Sequence, residues 1–102
     1  MNELIQELHD IEMIKQLKHR YFRAIDMADH GLLESVFTDD ITVDYRGGTY
    51  VWEASGKKEI IQSLKYSFHS ETAAMHTGHH PEISIHDDVN ASGIWYLQDI
   101  FY

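Results

Sequence analysis

Ile41-Thr42-Val43-Asp44-Tyr45-Arg46-Gly47-Gly48-Thr49-Tyr50-Val51-Trp52-Glu53 is the stretch that decides the fold. Ile41, Val43 and Tyr45 alternate with Thr42 and Asp44, the period of a strand with one apolar face. Gly47-Gly48 supplies a two-residue turn and Thr49 to Glu53 continue as the partner strand, so the segment reads as a β-hairpin. On its N-terminal side the period changes. From Glu3 to about Ala28, apolar residues recur at Leu4, Leu8, Ile11, Ile14, Leu17, Tyr21, Ile25 and Ala28, steps of three and four that predict one long amphipathic helix. Asp29-His30-Gly31 punctuates it, Leu32 to Phe37 predicts a short second helix, and Thr38-Asp39-Asp40 ends that.

On the C-terminal side, Ser55 is placed to cap a helix over Gly56 to about His69, with Ile60, Ile61, Leu64 and Phe68 as its apolar stripe. A strand follows around Ile83 and Ile85, then the turn His86-Asp87-Asp88-Val89-Asn90, then a long strand from Ala91 to Tyr102. The predicted order is ααββαββ. Helices before and between strands joined by short turns predict α+β architecture, a curved and largely antiparallel sheet with helices on one side.

The last strand puts Gly93, Trp95, Leu97, Asp99 and Phe101 on one face and Ile94, Tyr96, Gln98, Ile100 and Tyr102 on the other. Both faces are mostly apolar, which predicts a central strand. The sequence ends within it, at Ile100-Phe101-Tyr102, with no turn or polar tail. The expectation is that the domain is C-terminally incomplete or that a partner chain completes the sheet, giving a homo-oligomer, a dimer or trimer.

Composition bounds the function. A chain of 102 residues, 43% hydrophobic and 25% charged, has room for one domain over residues 1–102 and is neither fibrous nor disordered. Eight Lys and Arg against seventeen Asp and Glu give a net charge of −9, which repels phosphate backbones and anionic lipid. Nucleic acid and membrane surfaces are therefore not expected partners. The absence of cysteine excludes disulfides, thiolate zinc sites and thiol nucleophiles. The start is acidic and no apolar run is long enough for a membrane span, so a cytoplasmic protein is expected. Gly47-Gly48 lies between strands with no following helix, unlike a phosphate loop, and no Gly-x-Ser-x-Gly elbow supports a serine nucleophile.

Met75-His76-Thr77-Gly78-His79-His80-Pro81 is the richest cluster for acid–base chemistry, since imidazole titrates near neutral pH. A metal site would need His76 and His80 on one face with an inward carboxylate, and the spacing matches no strong metal signature. No metal is expected, and His79 and His80 read as exposed residues at the start of a strand. Asp99 reads either as a carboxylate desolvated by Trp95, Leu97 and Phe101 or as a residue at the sheet rim. Tyr45 shares its face with Ile41 and Val43. Tyr21 and Asp26 fall about 140° apart on an ideal helix, so periodicity does not pair them, and Asp26 alone reads as a solvated helix residue.

The segment Asp10-Ile11-Glu12-x-Ile14-Lys15-x-Leu17-Lys18-x-x-Tyr21-Phe22-Arg23-x-Ile25-Asp26 resembles the first helix of SnoaL-like proteins of the nuclear transport factor 2-like superfamily, closest to the bile acid 7α-dehydratase type. Met75-His76-x-Gly78-His79-x-Pro81-Glu82-Ile83 and Gly93-x-Trp95-Tyr96-Leu97-x-Asp99 resemble the catalytic-His segment and following strand of that family. The resemblance implies a cone, a strongly curved cystatin-like sheet wrapped around the N-terminal helices with a hydrophobic pocket at its open end. It also implies further strands, with a basic residue, beyond those present here.

By the same resemblance, Tyr21, Asp26, Tyr45, His76 and Asp99 line the pocket, with Asp26 turned towards it, so that the helix bends or is covered on two sides. The implied activity is a dehydratase of hydrophobic, steroid-like or polycyclic hydroxy-ketones, working by Asp/His acid–base catalysis with no metal or organic cofactor. The alternatives are a non-catalytic domain that binds a small hydrophobic molecule or drives oligomerisation, and a double-bond isomerase of the same fold.

Overall fold

The long amphipathic period of the N-terminus is realised as α1 (Asn2–Asp26), followed by α2 (His30–Val36), the hairpin β1 (Thr42–Gly47) and β2 (Tyr50–Ser55), α3 (Lys57–Ser67), β3 (Ala74–Ile85) and β4 (Ala91–Phe101). This computed structural model describes residues 2–101, so Tyr102, expected in the last strand, lies outside the described residues. The order is the predicted ααββαββ and the class is α+β, with the N-terminal helices against curled antiparallel strands. Among the described residues no helix is long and apolar enough to cross a membrane.

α1 stops two residues before the predicted end because the chain turns over at Ala28, which has φ 52°. The Ala28 N–H donates to the Ile25 carbonyl at 3.2 Å and the Asp29 N–H to the Ala24 carbonyl at 2.8 Å. That bond pair closes the helix end and satisfies carbonyls that would otherwise be orphaned. Asp29 then caps α2, its side chain accepting from the Leu32 N–H at 3.1 Å. Ser55 is not the cap of α3. Gly56 holds that position at φ 93°, where a side chain would be strained, and α3 has no side-chain cap.

The hairpin register pairs Gly47 with Tyr50, which makes Gly48-Thr49, rather than Gly47-Gly48, the two-residue loop. Gly48, at φ 59°, takes the first loop position, where the tight hairpin turns need a left-handed residue. A larger difference concerns β3, which begins at Ala74 instead of near Ile83. The whole histidine cluster is thus strand interior, not the start of a strand. Gly78, His79, His80 and Pro81 hide the period-two pattern, and the ladder shifts register between His79 and Glu82, where His80 adopts φ 50° and Pro81 has no N–H to donate.

The strands form two antiparallel pairs, β1–β2 and β3–β4, with no hydrogen-bonded link between them among the described residues. β4 therefore has β3 on one edge only and is not the central strand its apolar faces predicted; Ile94, Tyr96, Leu97 and Phe101 are all more than half exposed. The core is helical: Phe22, Ala24 and Ile25 of α1, Leu33 of α2, and Ile60, Ile61 and Leu64 of α3 are buried. Each large member contributes about 1.5–3 kcal/mol through burial. The first half of the predicted α1 stripe does not join it, since Leu4 and Leu8 are 57% and 58% exposed.

β3 crosses the C-terminal part of α1, and Gly78 sets how closely. A Cβ at Gly78 would lie 2.9 Å from the ring of buried Phe22 and 3.4 Å from that of Trp95. Gly78→Ala is expected to lower unfolding free energy by about 1–3 kcal/mol through overpacking. Gly47→Ala, where nothing lies within 4 Å, should stay within about 1 kcal/mol of wild type. Urea denaturation of the two variants checks the difference, and equal midpoints would contradict the close approach.

Candidate active site

The last residue of α1 and the third residue of β3 meet where the helix ends. Asp26 Oδ1 lies 2.6 Å from His76 Nδ1, and Asp26 Oδ2 accepts the His76 backbone N–H at 3.0 Å. A carboxylate at a helix C-terminus works against the helix dipole by about 0.3–1 kcal/mol. Hydrogen bonds to a charged group contribute about 1.5–3 kcal/mol each, so the contact with His76 wins. Because an ionised carboxylate only accepts, Nδ1 donates to Asp26, and in the neutral ring it is then Nε2 that holds the free lone pair.

The imidazole is held on both sides. It stacks on Phe22 at 5.9 Å with an interplanar angle of 12°, and meets the edge of Phe68 at 5.5 Å. Its side chain is only 8% exposed. Across the β3–β4 ladder His76 is in register with Asp99, whose Oδ2 is 3.7 Å from Nε2, beyond a direct hydrogen bond. Asp99 is 55% exposed, because Leu97 and Phe101 on its face are themselves open to solvent. The rim reading of Asp99 is therefore the one realised, not the desolvated carboxylate.

A second polar pair stands on the other side of α1. Tyr21 Oη and Tyr45 Oη are 3.0 Å apart. Tyr21 packs against Phe37, and Tyr45 meets Trp52 edge-on at 4.9 Å. Burial pushes the Tyr21 phenol well above its usual range, with the neighbouring Tyr45 hydroxyl adding to the effect. Tyr21 therefore stays a neutral O–H donor through the physiological range.

These groups line one open cleft of about 1430 Å³, walled by Ile25, Trp52, Phe68, Ile94, Trp95 and Leu97. Tyr21, Tyr45, His76 and Asp99 all border it, while Asp26 stands behind His76. The helical wheel is not violated by this arrangement. Asp26 lies on the Phe22 side of α1, which β3 covers, whereas Tyr21 and Ile25 lie on the side packed on α2 and the hairpin. The helix is covered on two sides, and His76 brings the Asp26 side round to the cleft. Asp26 is thus not a solvated helix residue.

Sequence reasoning missed two contributors. The sequence shows Phe68 only as part of an apolar stripe, yet its ring packs against His76 and its carbonyl meets His30 Nε2 at 2.9 Å. Lys18 figures in the sequence only as one position of the Asp10–Asp26 motif, yet it borders the cleft; its spacing of three and four from Tyr21 and Phe22 is the available signal. The remaining strand histidines stand apart: His79 Nε2 meets Thr77 Oγ1 at 3.1 Å, and His80 is exposed.

The Tyr21 phenol gives a pH test. Favouring the neutral form in the folded state, it contributes stability that is present below pH about 10 and is lost as pH rises further. Tyr21→Phe should leave the phenolate absorbance of the native protein at pH 11 unchanged. In urea, the same variant should lose one-sixth of the signal, since the chain has six tyrosines. A native-state loss of one-sixth would contradict the burial of this hydroxyl.

The described geometry places Tyr21 of α1, Tyr45 of β1, His76 of β3 and Asp99 of β4 around a single cleft, whereas Asp26, expected to line it, stands behind His76 and is bonded to it. Comparison with known families bears on the same span: the family described as SnoaL-like domain matches residues 6–102, from the first turns of α1 through β4. With nearly the whole chain inside the match, the protein belongs to the SnoaL-like family of the nuclear transport factor 2-like superfamily.

Proposed function

We propose that this SnoaL-like domain is a cofactor-independent dehydratase that eliminates water from a hydrophobic, steroid-like or polycyclic hydroxy-ketone. The observation that carries the reading is the clamped Asp26–His76 pair, which engages Nδ1 and leaves Nε2 as the ring nitrogen at an apolar cleft, beside the Asp99 carboxyl group. Elimination from a β-hydroxy ketone needs a base for the acidic C–H, a donor for the carbonyl oxygen and an acid for the departing hydroxyl.

In this reading His76 Nε2 takes the proton from the carbon next to the carbonyl, and Asp26 stabilises the imidazolium that forms. The C–H electrons pass into an enolate, whose oxygen is met by the hydroxyls of Tyr21 and Tyr45. A half-buried phenol whose ionisation is pushed up suits this task, because it presents no negative charge to the oxyanion. The enolate electrons then form the C=C bond as the C–O bond breaks. Asp99, 3.7 Å from Nε2, passes the proton from the imidazolium to the leaving hydroxyl, so that water departs and the dyad is restored.

An isomerase would use the same base and return the proton to carbon, so the mass of the product distinguishes the two reactions. A binding domain would need none of the five side chains. The proposal includes a cytoplasmic location and a homo-oligomer, the latter supported by the free edge and exposed apolar residues of β4.

Screening hydroxy-ketones for loss of water, followed by single-turnover kinetics, tests the reading. Asp26→Asn and His76→Ala are each expected to slow turnover by about 10²–10⁴-fold, and the double variant by little more than the worse single one. Additive losses, or near-normal turnover by Asp26→Asn, would remove the dyad from the mechanism.

A further inference from the structure

Two lysine or arginine side chains border the cleft, and they are in different situations. Arg46 is engaged by Asp44 at 2.8 Å and by Glu53. Lys18 has no carboxylate within 4.0 Å and no hydrogen-bond acceptor among the described residues. Its Nζ is instead placed over three rings, at 5.3 Å from the centre of Tyr21, 5.1 Å from Phe22 and 5.5 Å from Trp95. Two of these rings come from the next turn of α1, and the third comes from β4, where the indole folds over Gly93; a Cβ there would lie 2.4 Å from it.

Rings attract an ammonium by about 0.5–2 kcal/mol and supply no acceptor for its protons. A half-buried ammonium without a counter-charge is under-satisfied, and burial lowers its pKa accordingly. We propose that Lys18 is the anion-recognising residue of the cleft, and that its ligand is a multi-ring hydrophobic molecule carrying a carboxylate or sulfonate. The proposal rests on the reading of the cleft as a hydrophobic-ligand site and adds the charged end of that ligand.

The geometry also sets a length. Nζ lies 5.1 Å from the Phe22 ring centre and the imidazole of His76 lies 5.9 Å from it, which caps their separation at 11.0 Å. With a contact distance of about 3 Å added at each end, a multi-ring skeleton spans from an anion on Nζ to a carbon at Nε2. An ordinary aliphatic acid gains the charge contact and lacks the apolar surface for the aromatic walls. A neutral polycycle gains the surface and leaves the ammonium unpaired.

The test uses two probes of one skeleton, 1-anilinonaphthalene-8-sulfonate and N-phenyl-1-naphthylamine, which differ by the sulfonate. Fluorescence titration of the wild-type protein at physiological salt should show the sulfonate bound at least tenfold more tightly. Lys18→Met keeps the aliphatic stem over the rings and should bring the two affinities within about threefold of each other. Lys18→Arg should restore the preference.

Equal affinities in the wild type, failure of the sulfonate to bind it, or a Lys18→Met variant that weakens both probes alike would overturn the proposal, the last by reducing Lys18 to a packing role. Turnover is scored separately. A protein with the sulfonate preference but no dehydration of any hydroxy-ketone keeps the anion site and loses the proposed reaction. A dehydratase with equal probe affinities does the reverse.

Discussion

The Asp26 carboxylate, accepting one hydrogen bond from the His76 ring and another from the His76 backbone N–H, is the contact on which the rest of the arrangement turns. It joins positions 50 residues apart, and it does so where α1 must end and β3 must pass. Two other features exist to permit it. The turn through Ala28 closes the helix immediately beyond Asp26, and Gly78 removes the side chain that would hold β3 off Phe22. With both in place the carboxylate is bonded twice, a strong enough tie to outweigh the unfavourable helix-end charge.

From that tie the cleft follows. Stacking on Phe22 leaves His76 one orientation, Phe68 closes its free edge, and the register of β3 with β4 brings Asp99 alongside. The hairpin supplies Tyr45 to meet Tyr21. The buried core lies in the three helices, so the strands serve less as a core than as a wall that carries polar groups to an apolar space. Lys18 belongs to the same logic, held by rings from both the helix and the wall.

The elements that obey one period were legible from the residues. Alternation from Ile41 to Tyr45 beside a glycine pair has no reading but a hairpin, and steps of three and four reveal α1 and α3. β3 was half hidden, because glycine, proline and consecutive histidines carry no hydrophobic period even where the backbone is extended. The apolar faces of β4 looked like a central strand because periodicity reports what a surface is suited to cover, and cannot report whether a second strand lies beside it. The same holds for Leu4 and Leu8, which are suited to burial and are exposed. Tyr21 and Asp26 looked unrelated since a wheel assumes one buried face, whereas α1 is covered on two. That Tyr21 borders the cleft and Asp26 backs its histidine is suggested by family resemblance and not by spacing. Lys18 was invisible for a different reason: an unpaired ammonium among aromatic rings can only be recognised once the strand bearing Trp95 is in position.

The claim that Asp26 fixes His76 as an Nδ1–H tautomer with a free Nε2 at the cleft is open to direct reading by ¹⁵N NMR of histidine-labelled protein at neutral pH. His76 is expected to show a protonated Nδ1, with a cross-peak of slowed exchange, and an unprotonated Nε2 in the neutral ring, the pattern giving way to tautomer averaging in Asp26→Asn. A His76 signal with the proton on Nε2, or one indifferent to the Asp26 substitution, would contradict it.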